Sequence, residues 1–158
     1  AGKRDATPPV VTYSGNLGSY GVDQTISIAC STTDATSGIL SHSCAPVQGP
    51  AYAFNVGSNT RSASALDHAG NVGSGSTSFT VVLTTANLCS LTRIFSTSAS
   101  VAGSMCTKLE NAQRATARGD LKARAGMINA FMEEVKAQTG KALTAAQAQV
   151  LTRLAQQL

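Results

Sequence analysis

The stretch from Phe79 to Phe95 changes its hydrophobic period part-way along, so it must contain two kinds of secondary structure. Its first residues alternate apolar and polar, which is the two-residue period of a half-buried strand. Its last residues place Leu88, Leu91 and Phe95 three and four positions apart, which is the period of one helix face. The stretch therefore predicts a junction between a β domain and an α domain.

The half before this junction has the pattern of a β-sandwich. Six or seven short segments alternate apolar and polar residues, with turn residues between them. Residues 1–7 are predicted to be a linker, and residues 8–84 to be the sandwich. One of the predicted strands contains Tyr52, Phe54 and Val56, which alternate in the same way.

The half after the junction predicts three longer helices and one short helix. Asn87 is expected to cap the first helix and Asp120 the third, while Thr144 begins a capping box at the last. Tight turns between the helices favour a small antiparallel bundle over residues 87–158. Thr84–Asn87 is expected to be the linker between the two domains, acting either as a hinge or as a rigid connection.

Four cysteines fall as two close pairs, one pair in each predicted domain. Proximity favours bonds between Cys30 and Cys44 and between Cys89 and Cys106, although four cysteines allow three connectivities. Each bond would stabilise its domain by about 3 kcal/mol. Disulfides persist in oxidising surroundings, so we expect a secreted protein. Zinc is the weaker alternative, because no Cys-x-x-Cys occurs.

The basic character of the chain belongs to its second half. Residues 87–158 carry nine Lys or Arg and four acidic residues, whereas residues 1–86 carry three and four. The charges between the second and third predicted helices could hold an acidic polysaccharide or cell-wall polymer. This basic cluster consists of Arg114, Arg118, Lys122 and Arg124.

A solvated helix hairpin is the alternative interpretation of the basic cluster. Glu110 precedes Arg114 by four residues, which is the spacing of an ordinary ion pair on a helix surface. Nucleic acid is not expected as a partner, because the charge is modest and no aromatic residues interleave with the basic ones.

No pattern of catalytic residues stands out. His42 and His68 are the two histidines, and both are expected at the surface. The chain has neither a Gly-x-Ser-x-Gly nucleophile elbow nor a phosphate-binding glycine loop. We therefore predict that the protein is not an enzyme and uses no cofactor. No signal peptide or membrane span is expected, because the apolar runs are too short.

The sequence supports two further binding sites only weakly. Oxygen ligands for calcium could come from loop residues, but their spacing is not that of an EF-hand, and Asp and Asn also favour turns for local reasons. The residues concerned are Asp23, Asp34, Asp67 and Asn71. Tyr13 and Tyr20 could form a small sugar-binding platform, although a structural role is favoured.

Three stretches of the first half resemble a bacterial Ig-like repeat of the kind found along secreted hydrolases. They read DATPPVVTYSG, VDQTISIACSTTDATSGI and NVGSNTRSASALDHAGNVGSGSTSFTV. The ALDHAGN turn before the last strand is the most specific part. The resemblance spans about residues 5–83 and implies a spacer or adhesion module.

The second half is similar to the FIMAH-type helical module at the C-termini of secreted microbial hydrolases. The segment that carries the similarity reads KLENAQRATARGDLKARAGMINAFMEEVKAQTGKALTAAQAQVLTRLAQ. Most of the matching positions are caps, turns and core residues, so the similarity concerns the fold. It implies no catalytic residues.

These features together predict an extracellular bacterial protein without catalytic activity. The first hypothesis is an accessory region of a secreted hydrolase that spaces, anchors or binds an extracellular polymer. The alternative is a structural subunit of a self-assembling fibre or surface layer. That alternative depends on self-association through the extended Pro8–Val11 arm, because sheet edges recruit strands.

Overall fold

The structure, a computed structural model, describes residues 4–158 and divides into two compact units. The β unit comprises the residues up to Tyr20 together with Gln24–Val81. The helical unit comprises Gly21–Asp23 and Val82–Leu158. Two β-sheets, four α-helices and two disulfides are present in the described residues, so a mixed β and α fold with one disulfide in each half is confirmed.

Seven strands occur in the described part of the chain. They are β1 (Val10–Ser14), β2 (Ser19–Gly21), β3 (Thr25–Thr33), β4 (Ile39–His42), β5 (Val47–Pro50), β6 (Gly57–Asp67) and β7 (Val72–Val82). One sheet has the order β1-β3-β5 and the other the order β2-β7-β6-β4. The paired strands whose register is known run antiparallel.

The prediction of a strand that contains Tyr52 and Phe54 is wrong. Ala51–Ala53 forms a short 3-10 helix, and the strand lies earlier, at β5. Pro50 precedes this helix with φ −66°, and the Ala51 N–H donates to the Gln24 carbonyl. Alternation of apolar residues cannot detect this turn, because the turn depends on a hydrogen bond to a distant part of the chain.

Aromatic and aliphatic side chains fill the core of the β unit. Ile26, Ile28 and Phe79 are almost completely buried. The Phe79 ring meets the rings of Tyr20 and Phe54 edge-on, at centroid distances of 5.9 Å and 5.4 Å. Such edge-to-face pairs are favoured by the charge distribution of aromatic rings.

The predicted Cys30–Cys44 disulfide is present. Its Cα atoms are 5.7 Å apart, and it ties β3 to the segment that follows β4. Tyr13, Ile39 and both cysteines pack against a small cluster formed by Val11, Ala63 and Ala65. The bond therefore holds together a part of the β unit whose buried side chains are the small ones of Val11, Ala63 and Ala65.

The four helices begin and end at recognisable capping residues. They are α1 (Thr85–Phe95), α2 (Ala99–Ala117), α3 (Leu121–Gln138) and α4 (Ala145–Ala155). The predicted Asp120 cap and the capping box of Thr144 with Gln147 are confirmed. The predicted Asn87 cap is wrong, because Thr84 is the N-cap and Asn87 is its partner three residues later.

The start of α1 includes most of the predicted linker between the domains. Three residues of Thr84–Asn87 lie within the first turn of α1. The Thr84 hydroxyl accepts from the Asn87 N–H at 3.1 Å, and the Asn87 side chain accepts from the Thr84 N–H at 2.8 Å. This reciprocal pair satisfies two amides that a helix start otherwise leaves exposed.

Apolar faces of the helices form the core of the helical unit. Neighbouring helices contact each other, and α1 also contacts α4. Completely or almost completely buried side chains include Leu88, Leu91, Met105, Leu109, Phe131, Val135, Leu151 and Leu154. The predicted Cys89–Cys106 disulfide joins α1 to α2 with a Cα separation of 5.0 Å. None of the described helices is both long and apolar enough to cross a membrane.

Candidate functional site

Asp34 organises the turn that leads into β4. Its Oδ1 atom accepts hydrogen bonds from the backbone N–H groups of Thr36, Ser37 and Gly38, at 3.2, 2.8 and 2.7 Å. Gly38 has φ +78°, a conformation that glycine adopts without strain. The turn uses one carboxylate oxygen of Asp34 completely and leaves the other, Oδ2, without a partner.

Asp67 organises the turn between β6 and β7 in a similar way. Its Oδ1 atom accepts from the N–H groups of Ala69 and Asn71, both at 2.8 Å, and its Oδ2 atom accepts from the Asn71 side-chain amide at 2.8 Å. Asp67 is fully buried. The ALDHAGN sequence therefore encodes a turn built around one buried carboxylate.

The sheet brings these two turns together. Ile39 of β4 pairs with Asp67 of β6, and the His68 N–H donates to the Gly38 carbonyl at 3.1 Å. The two turns are adjacent because β4 pairs with β6, although these strands are not consecutive in the chain.

Asp5 reaches the same place from the predicted linker. The Asn71 side-chain amide donates to the Asp5 carbonyl at 3.2 Å, and the Thr7 N–H donates to Asp5 Oδ1 at 2.9 Å. Asp5, Asp34 and Asp67 each contribute one carboxylate oxygen, and these oxygens all lie within 4.8 Å of one another. We call these three residues the aspartate trio.

Three polar atoms at the trio are buried without a hydrogen-bond partner. Asp5 Oδ2, Asp34 Oδ2 and Ser37 Oγ each expose less than 1 Å². The Ser37 hydroxyl lies close enough to Asp5 and Asp67 to lower the pKa of both carboxyls, but it makes no hydrogen bond of acceptable geometry. Unpaired buried oxygen atoms are costly, so the trio offers acceptors that a bound ligand would satisfy.

The pKa values of Asp5 and Asp67 are both lowered, so these two carboxyls are charged at neutral pH. The Thr7 N–H is the main cause that lowers the pKa of Asp5. Burial acts to raise the pKa of Asp67, but hydrogen bonds from Asn71 and Ala69 outweigh burial, and the pKa falls. Within residues 4–158, Lys108 pairs with Glu134, and no cationic side chain pairs with the trio.

Converging carboxylates with free oxygens are the ligand type that hard divalent cations prefer. Calcium fits this oxygen set best, because it tolerates irregular geometry and six to eight ligands, some of them water. Zinc and copper favour nitrogen and sulfur ligands. The candidate ligands are Asp5 Oδ2, Asp34 Oδ2, a carboxylate oxygen of Asp67 and the Ser37 hydroxyl.

The four residues that the sequence offered as calcium ligands have three different places in the structure. Asp34 and Asp67 belong to the trio, and Asn71 supports it through hydrogen bonds. Asp23 is not a member of the trio. Asp5 and Ser37 are not among the residues predicted from sequence. No spacing identifies Asp5, because it joins the trio only through tertiary structure.

The basic cluster is divided by the structure. Arg114, Arg118 and Lys122 are exposed around the α2–α3 connection. Arg124 is half-buried, and its guanidinium donates to the Leu158 carbonyl at 2.5 Å. Three of the four residues are therefore available to a partner, whereas Arg124 holds the end of the helical unit.

The other candidates have structural roles. Tyr20 is buried and its hydroxyl accepts from the Leu17 N–H at 2.8 Å, so it forms no surface platform with Tyr13. His42 and His68 are exposed, as expected. Neither of them belongs to the trio.

Known proteins provide no family for this chain. No protein-family model matches it, and no curated protein matches it.

Proposed function

We propose that this chain is a non-catalytic, extracellular accessory region whose β unit binds one calcium ion at the aspartate trio. The unpartnered, buried oxygens of Asp5 and Asp34 carry this proposal. The β unit would be an Ig-like sandwich and the helical unit an antiparallel bundle. Two disulfides support an oxidising environment.

The environment of β1 favours a spacer over a self-assembling subunit. β1 pairs with β3 along all five of its residues. The carbonyl oxygens of Pro9 and Val11 lie against Gly73 and Gly75 of β7, so closely that a side chain at either glycine would collide with them. Recruiting another chain along this side of β1 would require these contacts to break.

The exposed residues Arg114, Arg118 and Lys122 favour a second function for the helical unit, binding of an acidic polysaccharide or cell-wall polymer. These side chains form no ion pair among the described residues. Guanidinium groups suit carboxylate, sulfate or phosphate groups because they donate two parallel hydrogen bonds.

Calorimetric titration of the EDTA-treated chain with Ca²⁺ tests the primary proposal. We expect one site with a dissociation constant of about 10⁻⁴ to 10⁻³ M, the range of extracellular modules. At a hundredfold excess over that constant, binding would stabilise the β unit by about 2.7 kcal/mol. Tyrosine fluorescence reports that unit, because Tyr13, Tyr20 and Tyr52 all belong to it.

Asp34→Asn is the most informative variant. The amide oxygen can still accept the three N–H bonds of the turn, while the charged Oδ2 is lost. We expect Ca²⁺ affinity to fall by about tenfold or more, which is at least about 1.4 kcal/mol. Asp23→Asn removes the same charge outside the trio and should leave affinity unchanged. A wild-type chain that shows neither binding heat nor stabilisation would contradict the calcium site.

A further inference from the structure

Strand β6 has a neighbour on both sides for only part of its length. β7 pairs with it along almost the whole strand. β4 pairs only with the last three residues of β6, and the Ser43 N–H adds one bond to the Ser64 carbonyl at 3.0 Å. In the described part of the chain, no other strand lies on this side of β6. The part of β6 that precedes Ser64 therefore has an open edge.

A slot of about 290 Å³ lies between the two sheets at this edge. β5, the edge strand of the other sheet, contributes two residues to its lining, and β6 contributes two more. The connection between β4 and β5 also lines it. We call it the lateral slot, and its principal residues are Tyr13, Val47, Gln48, Phe54, Arg61 and Ser62. Its volume is at the lower end for small-molecule sites, so it suits a single ring rather than a long ligand.

Arg61 occupies a position on β6 that faces the interior of the β unit. Side chains two residues apart on a strand point to the same face of the sheet. Asn59 and Ala63, which flank Arg61 at that spacing, are only 6% and 5% exposed. Arg61 shares their face but is exposed. The space between the sheets therefore opens to solvent at Arg61, with a positive charge at the opening.

The Arg61 guanidinium is held in place and has no acidic partner. It lies over the Phe54 ring, 5.6 Å from the ring centroid, and its Nη1 atom donates to the Thr60 carbonyl at 3.1 Å. No carboxylate of residues 4–158 forms an ion pair with it. A guanidinium has more N–H donors than this one bond uses. Arg61 can therefore bind a carboxylate through two parallel N–H bonds, with little further loss of side-chain freedom.

The residues around Arg61 narrow the chemistry of the ligand. One cation matches a carboxylate, whereas a phosphate monoester carries nearly two negative charges at neutral pH. Tyr13 and Val47 provide apolar surface for the face of a ring. The Gln48 amide and the Ser62 hydroxyl can exchange hydrogen bonds with hydroxyl groups at its edge. An acidic sugar ring combines these three properties, because it has a carboxylate, apolar C–H faces and several hydroxyls.

We propose that the lateral slot binds one hexuronate ring, with the sugar carboxylate on the Arg61 guanidinium. The size of the slot favours a single ring or the end of an acidic polysaccharide over a stretch from the middle of a chain. All residues of the slot belong to the β unit. The proposal therefore depends neither on the aspartate trio nor on the basic cluster of the helical unit.

Titration of the isotope-labelled full chain with glucuronate, followed by the NMR shifts of its backbone amides, tests this proposal. We expect saturable shifts at Gln48, Arg61 and Ser62, with a dissociation constant of about 1 mM, the order expected for a ring-sized ligand. Glucose has a similar ring without the carboxylate and should cause no saturable shift. This comparison uses the wild-type chain alone, so it does not depend on the folding of a variant.

Arg61→Gln should weaken glucuronate binding by about tenfold or more, because the amide lacks both the charge and the paired donors. Arg93→Gln is the matched control. It removes an exposed arginine of α1, in the other unit, and should bind glucuronate as the wild-type chain does. The amide spectrum of each variant also shows whether it is folded.

Three results would overturn the proposal. Equal shifts with glucose and with glucuronate would mean that the slot does not recognise the carboxylate. Tighter binding of benzoate than of glucuronate would mean that the slot selects an aromatic acid rather than a sugar. Shifts confined to the helical unit, or an Arg61→Gln chain that binds as tightly as the wild-type chain, would mean that the lateral slot is not the site.

Discussion

Gly73 and Gly75 set how closely β1 can approach β7. A Cβ atom on Gly75 would lie 2.6 Å from the Val11 carbonyl oxygen, and one on Gly73 would collide with the Pro9 carbonyl oxygen. Backbone atoms cannot yield as the end of a flexible side chain can. These two glycines therefore provide close packing rather than an unusual backbone conformation, since neither has a positive φ.

Gly73→Ala should destabilise the β unit by about 1–3 kcal/mol, the usual cost of overpacking. Urea denaturation followed by tyrosine fluorescence measures this change. Gly126→Ala is the control, because Gly126 lies within α3 and a Cβ there meets nothing within 4 Å. That change should leave the tyrosine transition unchanged, while far-UV ellipticity should show the helical unit stabilised by about 1 kcal/mol. A Gly73→Ala chain of wild-type stability would contradict the close approach of β1 and β7.

At the scale of elements, α1 is stabilised at its N-terminus and along its buried face. Its start is held by the capping box of Thr84 and Asn87. Its face is held to α2 by the Cys89–Cys106 disulfide and by the burial of Leu88 and Leu91. A helix of 11 residues is marginal by itself in water, so these tertiary contacts decide whether it forms.

Removal of the second disulfide should therefore weaken the helical unit selectively. We expect the double change Cys89→Ala and Cys106→Ala to lower its free energy of unfolding by about 3 kcal/mol. Ellipticity at the helical wavelength in a urea titration measures this loss. The matched change Cys30→Ala and Cys44→Ala should shift the tyrosine signal instead. If both pairs shift only the tyrosine signal, the assignment of one disulfide to each unit is wrong.

At the scale of the whole molecule, charge is distributed unequally between the two halves. The β half contains the three converging carboxylates, and the helical half contains most of the basic residues. We therefore expect a cation to bind the β unit and an acidic polymer to bind the helical unit. Their effects on binding can be separated by substitutions in one unit at a time.

Arg114→Ala with Arg118→Ala should weaken binding to an acidic polysaccharide by about tenfold or more, equivalent to at least about 1.4 kcal/mol. Co-sedimentation or calorimetry at low salt measures this, and added salt should weaken wild-type binding through screening. Lys136→Ala with Lys141→Ala removes two exposed charges elsewhere in the helical unit and is the control. Equal losses in both double variants would indicate attraction to net charge rather than a site.

Local patterns in the sequence determined most of the elements and favoured the two disulfide pairs that form. The alternation around Phe79, the helical spacing of Leu88 and Leu91, and the caps at Asp120 and Thr144 involve residues within a turn or two of each other. Such signals are readable because strand and helix periods come from local backbone geometry. The Asn87 cap was misplaced because both members of a capping box are capping residue types.

The tertiary structure alone decided the aspartate trio and the role of Arg124. Asp5, Asp34 and Asp67 lie in three separate segments, and each carboxylate has an ordinary turn interpretation in the sequence. Pairing of β4 with β6 aligns two turns, and Asn71 brings Asp5 to them. Whether a carboxylate oxygen is left unpaired depends on its distances to residues far away in the chain, and no spacing in the sequence encodes those distances.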